Sequence, residues 1–148
     1  IPVVLTTIAS ENEIDTIGSR TSKITTASFA YYFKEQEKNK NQHVKETVHY
    51  IAWEPGQGTI GTLRYEIARA TNGLTDAWST VPFQQPFAQA PVFLADMQTN
   101  NNSDTAALRA DSATPTGVQL KVEEEQSKDT ETTHPEETVG YLAFEQAE

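Results

Sequence analysis

The chain has no cysteine. That absence removes thiol catalysis and cysteine-based zinc sites. In an exported protein it also argues against a small scaffold stapled by disulfides. No run of apolar residues is long enough to span a bilayer, and no secretory leader opens the sequence, so membrane insertion is not expected. Basic residues are scarce: 11 Lys and Arg face 21 Asp and Glu, for a net charge of −10. Binding to nucleic-acid phosphates requires clustered Lys and Arg, so nucleic acid is not an expected partner. Catalytic signatures are missing as well. There is no Gly-x-Ser-x-Gly elbow, no Gly-rich phosphate loop and no His-Glu-x-x-His. Glu124 and Glu137 could be imagined as a glycosidase pair, but such a pair is defined by its separation across a cleft. A small sandwich unit rarely encloses one, and a non-enzyme is expected.

What is present is a repeat, which has to be settled before the fold. His134 to Glu145 reads His-Pro-Glu-Glu-Thr-Val-Gly-Tyr-Leu-Ala-Phe-Glu, and His43 to Glu54 reads His-Val-Lys-Glu-Thr-Val-His-Tyr-Ile-Ala-Trp-Glu. These stretches lie 91 positions apart (134 − 43 = 91). Upstream, Pro2, Val3, Leu5, Asp15, Thr16, Arg20, Thr25 and Glu35 recur as Pro91, Val92, Leu94, Asp104, Thr105, Arg109, Thr114 and Glu124, each 89 positions on (109 − 20 = 89). Residues 58–148 therefore read as one complete unit. Residues 1–57 read as a partial unit, the last two thirds of a module. The duplication is either internal to one domain or, on the reading preferred here, part of a longer array cut in mid-pattern at Ile-Pro-Val-Val. The partial unit lacks a counterpart of 59–87. It should leave a strand edge or apolar face open, to be covered by self-association or by sharing that segment.

Hydrophobic residues make up 36% of the chain, enough for a modest core. They fall in short alternating runs. Phe29, Tyr31 and Phe33 alternate with other residues, as do Val118, Leu120 and Val122, which is the period of half-buried strands. Strands are also expected over 2–8, around Arg20, and over 46–54, 59–68, 90–98, 105–110 and 138–144. Leu63 to Ala70 could pass for a short helix. Turns are expected at Pro55 to Gly58, Asn72-Gly73 and Thr114 to Gly117. Residues 78–87 carry Pro82 and Pro86 and read as an irregular or edge segment. Residues 36–45 and 123–137 read as hydrophilic loops. Short alternating strands separated by turn signals predict an all-β, antiparallel β-sandwich.

Several of these pieces resemble the H-type lectin domain, the sugar-binding domain of snail agglutinins and of the discoidin C-terminal region. They are Val81-Pro-Phe-Gln-Gln-Pro-Phe-Ala-Gln-Ala-Pro-Val-Phe-Leu94, then Leu108-Arg109, Thr114-Pro-Thr-Gly-Val118 and Val139-Gly-Tyr-Leu-Ala143. The likeness covers 59–144 and, diluted, 2–54. It implies a sandwich of about six strands per unit that binds galactose- or N-acetylgalactosamine-type sugars, often as a trimer. It also implies a secreted carbohydrate-binding module in a larger protein. Arg109 stands where the family's sugar-contacting arginine lies, and Arg20 takes the matching place in the first unit. The family's next site segment carries an aromatic and a His. Here that segment reads Glu-Glu-Glu-Gln over 123–126 and Lys-Glu-Gln-Glu over 34–37. His134 or Tyr141 would have to substitute.

The expected site therefore joins Arg109 and His134, with Glu124 or Glu137 accepting bonds from sugar hydroxyls and holding the arginine. Arg20 and His43 form its echo. Each residue also has a plainer reading. His43 and His134 serve either as ligand or metal contacts or as hydrogen-bonding residues pinned by Glu46 and Glu137, three positions on. Arg20 and Arg109 read equally as loop-ordering partners of an Asp. Tyr141, like Tyr50, reads as core packing. The acidic loop 123–137 offers oxygen ligands to calcium, but it lacks the order of a dedicated calcium loop and reads by default as a solvated charge run. The competing function is that of a structural repeat of a surface adhesin or extracellular fibre.

Overall fold

A computed structural model describes residues 1–70 and 73–146. Asn72, in one of the expected turns, lies outside the described residues. Among the described residues eleven strands follow one another: β1 (Val3–Ile8), β2 (Ile17–Ser22), β3 (Ala30–Glu35), β4 (Val48–Trp53), β5 (Gly56–Ile60), β6 (Leu63–Arg69), β7 (Ser79–Pro82), β8 (Val92–Met97), β9 (Ala106–Thr114), β10 (Gly117–Glu124) and β11 (Val139–Gln146). Every pairing is antiparallel. The protein is all-β, and its sheets pack as a sandwich.

The main core lies between a four-stranded sheet, in order β5-β6-β11-β8, and a three-stranded sheet, β7-β10-β9. Alternation in β10 sends Val118, Leu120 and Val122 inward, where each is buried. They meet Tyr141 and Ala143 from β11, with Phe83, Phe87 and Met97 filling the remaining space. The hairpin between β9 and β10 turns at Thr114 to Gly117, as its sequence predicts. Two expectations are corrected. Pro55 to Gly58 is not simply a turn, because β5 begins at Gly56 and the chain reverses at Gly61-Thr62. There Gly61 supplies a φ of 63° at the first turn position. Nor is Leu63 to Ala70 helical: residues 63–69 form β6, whose backbone pairs with β5 on one side and β11 on the other.

The repeat maps strand onto strand. β1 and β4 pair as β8 and β11 do, and β2 and β3 pair as β9 and β10 do. Among the described residues the first unit has no counterpart of β6 beside β4 or of β7 beside β3, and Tyr50 and Ile51 stay exposed.

β1 instead lies on the outer face of the large sheet. Val3 packs with Ile67 and Leu142 in a second apolar cluster, with Leu5, Trp53, Tyr65 and Phe144 around it. Gly140 makes this approach feasible: a Cβ there would stand 2.8 Å from both Val3 Cγ1 and Gln98 Cδ. Side chains satisfy the free edge of β1. The Val4 N–H donates to Gln98 Oε1 (2.9 Å), Gln98 Nε2 donates to the Val4 carbonyl (2.8 Å), and the Thr6 N–H donates to Asp96 Oδ2 (3.0 Å).

Candidate functional site

Each unit contains a histidine gripped by two glutamates, and the grip is built twice from equivalent positions. In the first unit His43 Nδ1 lies 2.8 Å from Glu35 Oε1, and Nε2 lies 3.1 Å from Glu46 Oε1. In the second, His134 Nδ1 bonds Glu124 Oε1, and Nε2 lies 3.2 Å from Glu137 Oε1. A hydroxyl and an amide complete each circuit. Ser10 Oγ donates to Glu46 Oε2 and the Asn12 N–H to Glu46 Oε1. Likewise Thr99 Oγ1 donates to Glu137 Oε2 and the Asn101 N–H to Glu137 Oε1. The pairs Ser10/Thr99 and Asn12/Asn101 are also 89 positions apart, a recurrence that sequence reasoning passed over although it was there to read. At His43, bonds from both ring nitrogens to carboxylate oxygens call for two N–H donors, which favours the imidazolium form. At His43 burial disfavours that form, but the bonds to Glu46 and Glu35 and the charges of Glu35 and Glu13 outweigh it and raise the pKa.

The arginines do not play matching parts. Arg20, on β2, is buried against the second unit's circuit. Its Nη1 stands 3.8 Å from Glu137 Oε1 with both side chains fully enclosed, and it also meets the Met97 sulfur. Burial lowers the Arg20 pKa, opposed by the charges of Glu137, Glu124 and Asp96. Its neighbour Thr21 donates to the Met97 carbonyl at 2.6 Å. The expected pairing of Arg109 with His134 is thus corrected: Arg20, from the other unit, reaches that circuit. Arg109 projects from the solvent face of β9 opposite Lys121 and pairs with Glu123 there.

Further bonds tie the units together. The Glu37 N–H donates to Glu125 Oε2 (2.9 Å), the Thr105 N–H to Glu37 Oε1 (3.2 Å), and Lys34 Nζ to the Ser103 carbonyl (2.9 Å). Trp53 and Phe144 pack together at the junction, with ring centroids 6.3 Å apart.

Of the expected ligand-binding residues, Arg20, Glu124, His134, Glu137 and Tyr141 are therefore buried, and partners within the chain engage each of them. Tyr141 donates to Glu66 Oε1 inside the main core, where burial and the Glu66 carboxylate raise its pKa. His43 is enclosed by Glu13, Glu35 and Glu46. Only Arg109 faces solvent, with 62% of its side chain exposed. It belongs to a polar row that contains an aromatic. Lys121 Nζ bonds Glu123 Oε1 (3.1 Å) and lies 5.3 Å from the ring centre of half-exposed Trp78.

No family model and no solved structure matches the chain. It is similar to Halomucin of Haloquadratum walsbyi, with 29% identity over 146 residues, covering 97% of this chain and 2% of that protein. The chain thus spans a very small part of the length of this relative.

Proposed function

We propose that the chain is a non-enzymatic structural segment of a secreted, extracellular protein, built from β-sandwich repeats clasped to one another. One observation carries this reading: Arg20 of the first unit is buried against the His134–Glu137 circuit of the second. A charge withdrawn from water in that way serves the joint between units and is not accessible to a ligand. Similarity to 2% of a much longer protein fits a segment of a long array. The surplus of acidic residues favours solubility. Among the described residues no helix is long and apolar enough to cross a membrane.

Removing one partner of a buried ion pair leaves the other charge uncompensated, typically at a cost of about 3–5 kcal/mol. Arg20→Ala should lower stability by about 3 kcal/mol and split urea unfolding into two steps, one for each unit. A single transition at the wild-type midpoint would reject the clasp.

Carbohydrate binding is the second reading, and one feature favours it. The row Arg109, Glu123, Lys121 and Trp78 combines a guanidinium fork, a carboxylate and an exposed ring on one surface. Such a set suits hydroxyls and the C–H face of a galactose-type sugar. Glycan arrays and polysaccharide pull-downs should then show retention that Arg109→Ala and Trp78→Ala each abolish at an unchanged melting temperature. If the wild-type chain is retained by no glycan, this reading fails and the structural one stands.

A further inference from the structure

The two circuits differ in their surroundings, and one of the differences concerns charge. In the first unit Asp15 and Glu35 approach each other across an amide. Asn39 Nδ2 donates to Asp15 Oδ2 at 2.9 Å and to Glu35 Oε2 at 3.0 Å. Their counterparts in the second unit are Asp104 and Glu124, but among the described residues no amide bridges those two carboxylates; Asn102 Nδ2 reaches Glu124 alone. The residue 89 positions on from Asn39 is Lys128, which is exposed and faces Asp129 at 3.8 Å. The residue 91 positions on is Thr130. A third carboxylate, Glu131, has come in, and oxygens of Asp104, Glu124 and Glu131 lie within 4.8 Å of one another.

The consequence falls on Glu124. Its Oε1 is bonded to His134 Nδ1 and receives Asn102 Nδ2 at 3.3 Å. Its Oε2 is buried and has no hydrogen-bond partner among the described residues. The side chain as a whole is 1% exposed. A buried carboxylate oxygen without a donor carries a desolvation penalty that folded proteins seldom leave unanswered. The nearby cations give it no bond: Lys34 is held on the Ser103 carbonyl, and Arg20, whose charge reaches Glu124, turns Nη1 toward Glu137 and Met97 and leaves Nε and Nη2 without partners among the described residues. In the first unit, by contrast, the Glu13–Glu35–His43 group is internally satisfied. Glu35 holds His43 and Asn39, and Glu13 Oε2 accepts the Val44 N–H at 2.9 Å.

We propose that Asp104, Glu124 and Glu131 bind one calcium ion, which takes the place that the Asn39 amide fills in the first unit. The ligand set is all oxygen, as hard cations require, and calcium–oxygen distances of about 2.3–2.6 Å suit carboxylates grouped this closely. Two of the ligands come from the loop that closes the His134 circuit and from the strand before it. The third lies in the loop that carries Ser103. The ion would therefore fasten the acidic 123–137 loop to the body of the sandwich.

Calorimetric titration of CaCl2 into the chelator-stripped full chain tests this, in 1 M NaCl so that diffuse counterion binding is suppressed. One ion per chain is expected, with a raised melting temperature. Glu131→Gln alters an exposed side chain and keeps an oxygen for the bond from the Thr133 N–H, and it should weaken binding at least tenfold, as should Asp104→Asn. Asp15→Asn in the first unit should leave binding unchanged. Absence of saturable binding would overturn the proposal. So would equal affinity for magnesium, or a loss caused by Glu13→Gln and not by Glu131→Gln, which would put the ion at the other cluster.

Discussion

A histidine held between two carboxylates makes stability depend on pH in two opposite senses. At His43 folding raises the imidazole pKa, so the native state binds that proton more tightly than the unfolded chain. The resulting stabilisation is complete below the ordinary histidine value of about 6.5 and is lost as pH rises through the higher folded value. Glu46 behaves in reverse. The bond from the Ser10 hydroxyl pulls its pKa down; burial opposes, and the Asn12 N–H and His43 add to the pull. Its contribution is present above the ordinary glutamate value of about 4.3 and fades as pH falls through the folded value. The first circuit should therefore be firmest between about pH 4.3 and 6.5. Urea midpoints measured from pH 5.5 to 9 should decline on the alkaline side, and His43→Gln should flatten that decline. An alkaline limb identical in wild type and variant would mean that the His43 proton plays no part in holding the loop.

At the level of strands, the two units differ in how completely they are covered. Leu120 is fully buried in β10 between two sheets, so Leu120→Ala should cost about 2–5 kcal/mol, as buried large-to-small changes do. Tyr31 occupies β3, which has no neighbour equivalent to β7 and is only half-buried. Tyr31→Ala should cost clearly less in the same urea titration; an equal loss would show that the first unit has a core of comparable density. The alternation that places Val118, Leu120 and Val122 inside was legible in the sequence because it is local. β5 was not, since Gly-Gln-Gly-Thr-Ile has no apolar period and is a strand only because its backbone pairs with β6. The same division holds at the candidate site. Glu46 and Glu137 were readable as the pins of His43 and His134 from a spacing of three. That Arg20 and not Arg109 meets Glu137 depends on how one unit is laid upon the other, and no local spacing encodes that.

For the molecule as a whole, the joint between units is the feature with the longest reach. Its two sides are unlike. One presents the edge of β1 with Arg20, and the other presents the outer face of β6 and β11 with Gly140, Asp96 and Gln98. The first side recurs on the second unit, where Val92 is 67% exposed and Arg109 points into solvent. The second side does not recur on the first unit, where His49, Thr7 and Ala9 stand at the positions of Gly140, Asp96 and Gln98. Contacts between unlike surfaces do not close into a two-fold pair; they repeat head to tail, in a ring or in an open helix. The segment therefore has a direction, like a bolt with one threaded end. A further unit bearing the glycine, aspartate and glutamine could seat on β8 and Arg109, whereas His49 stands in the way of the same fit on β4.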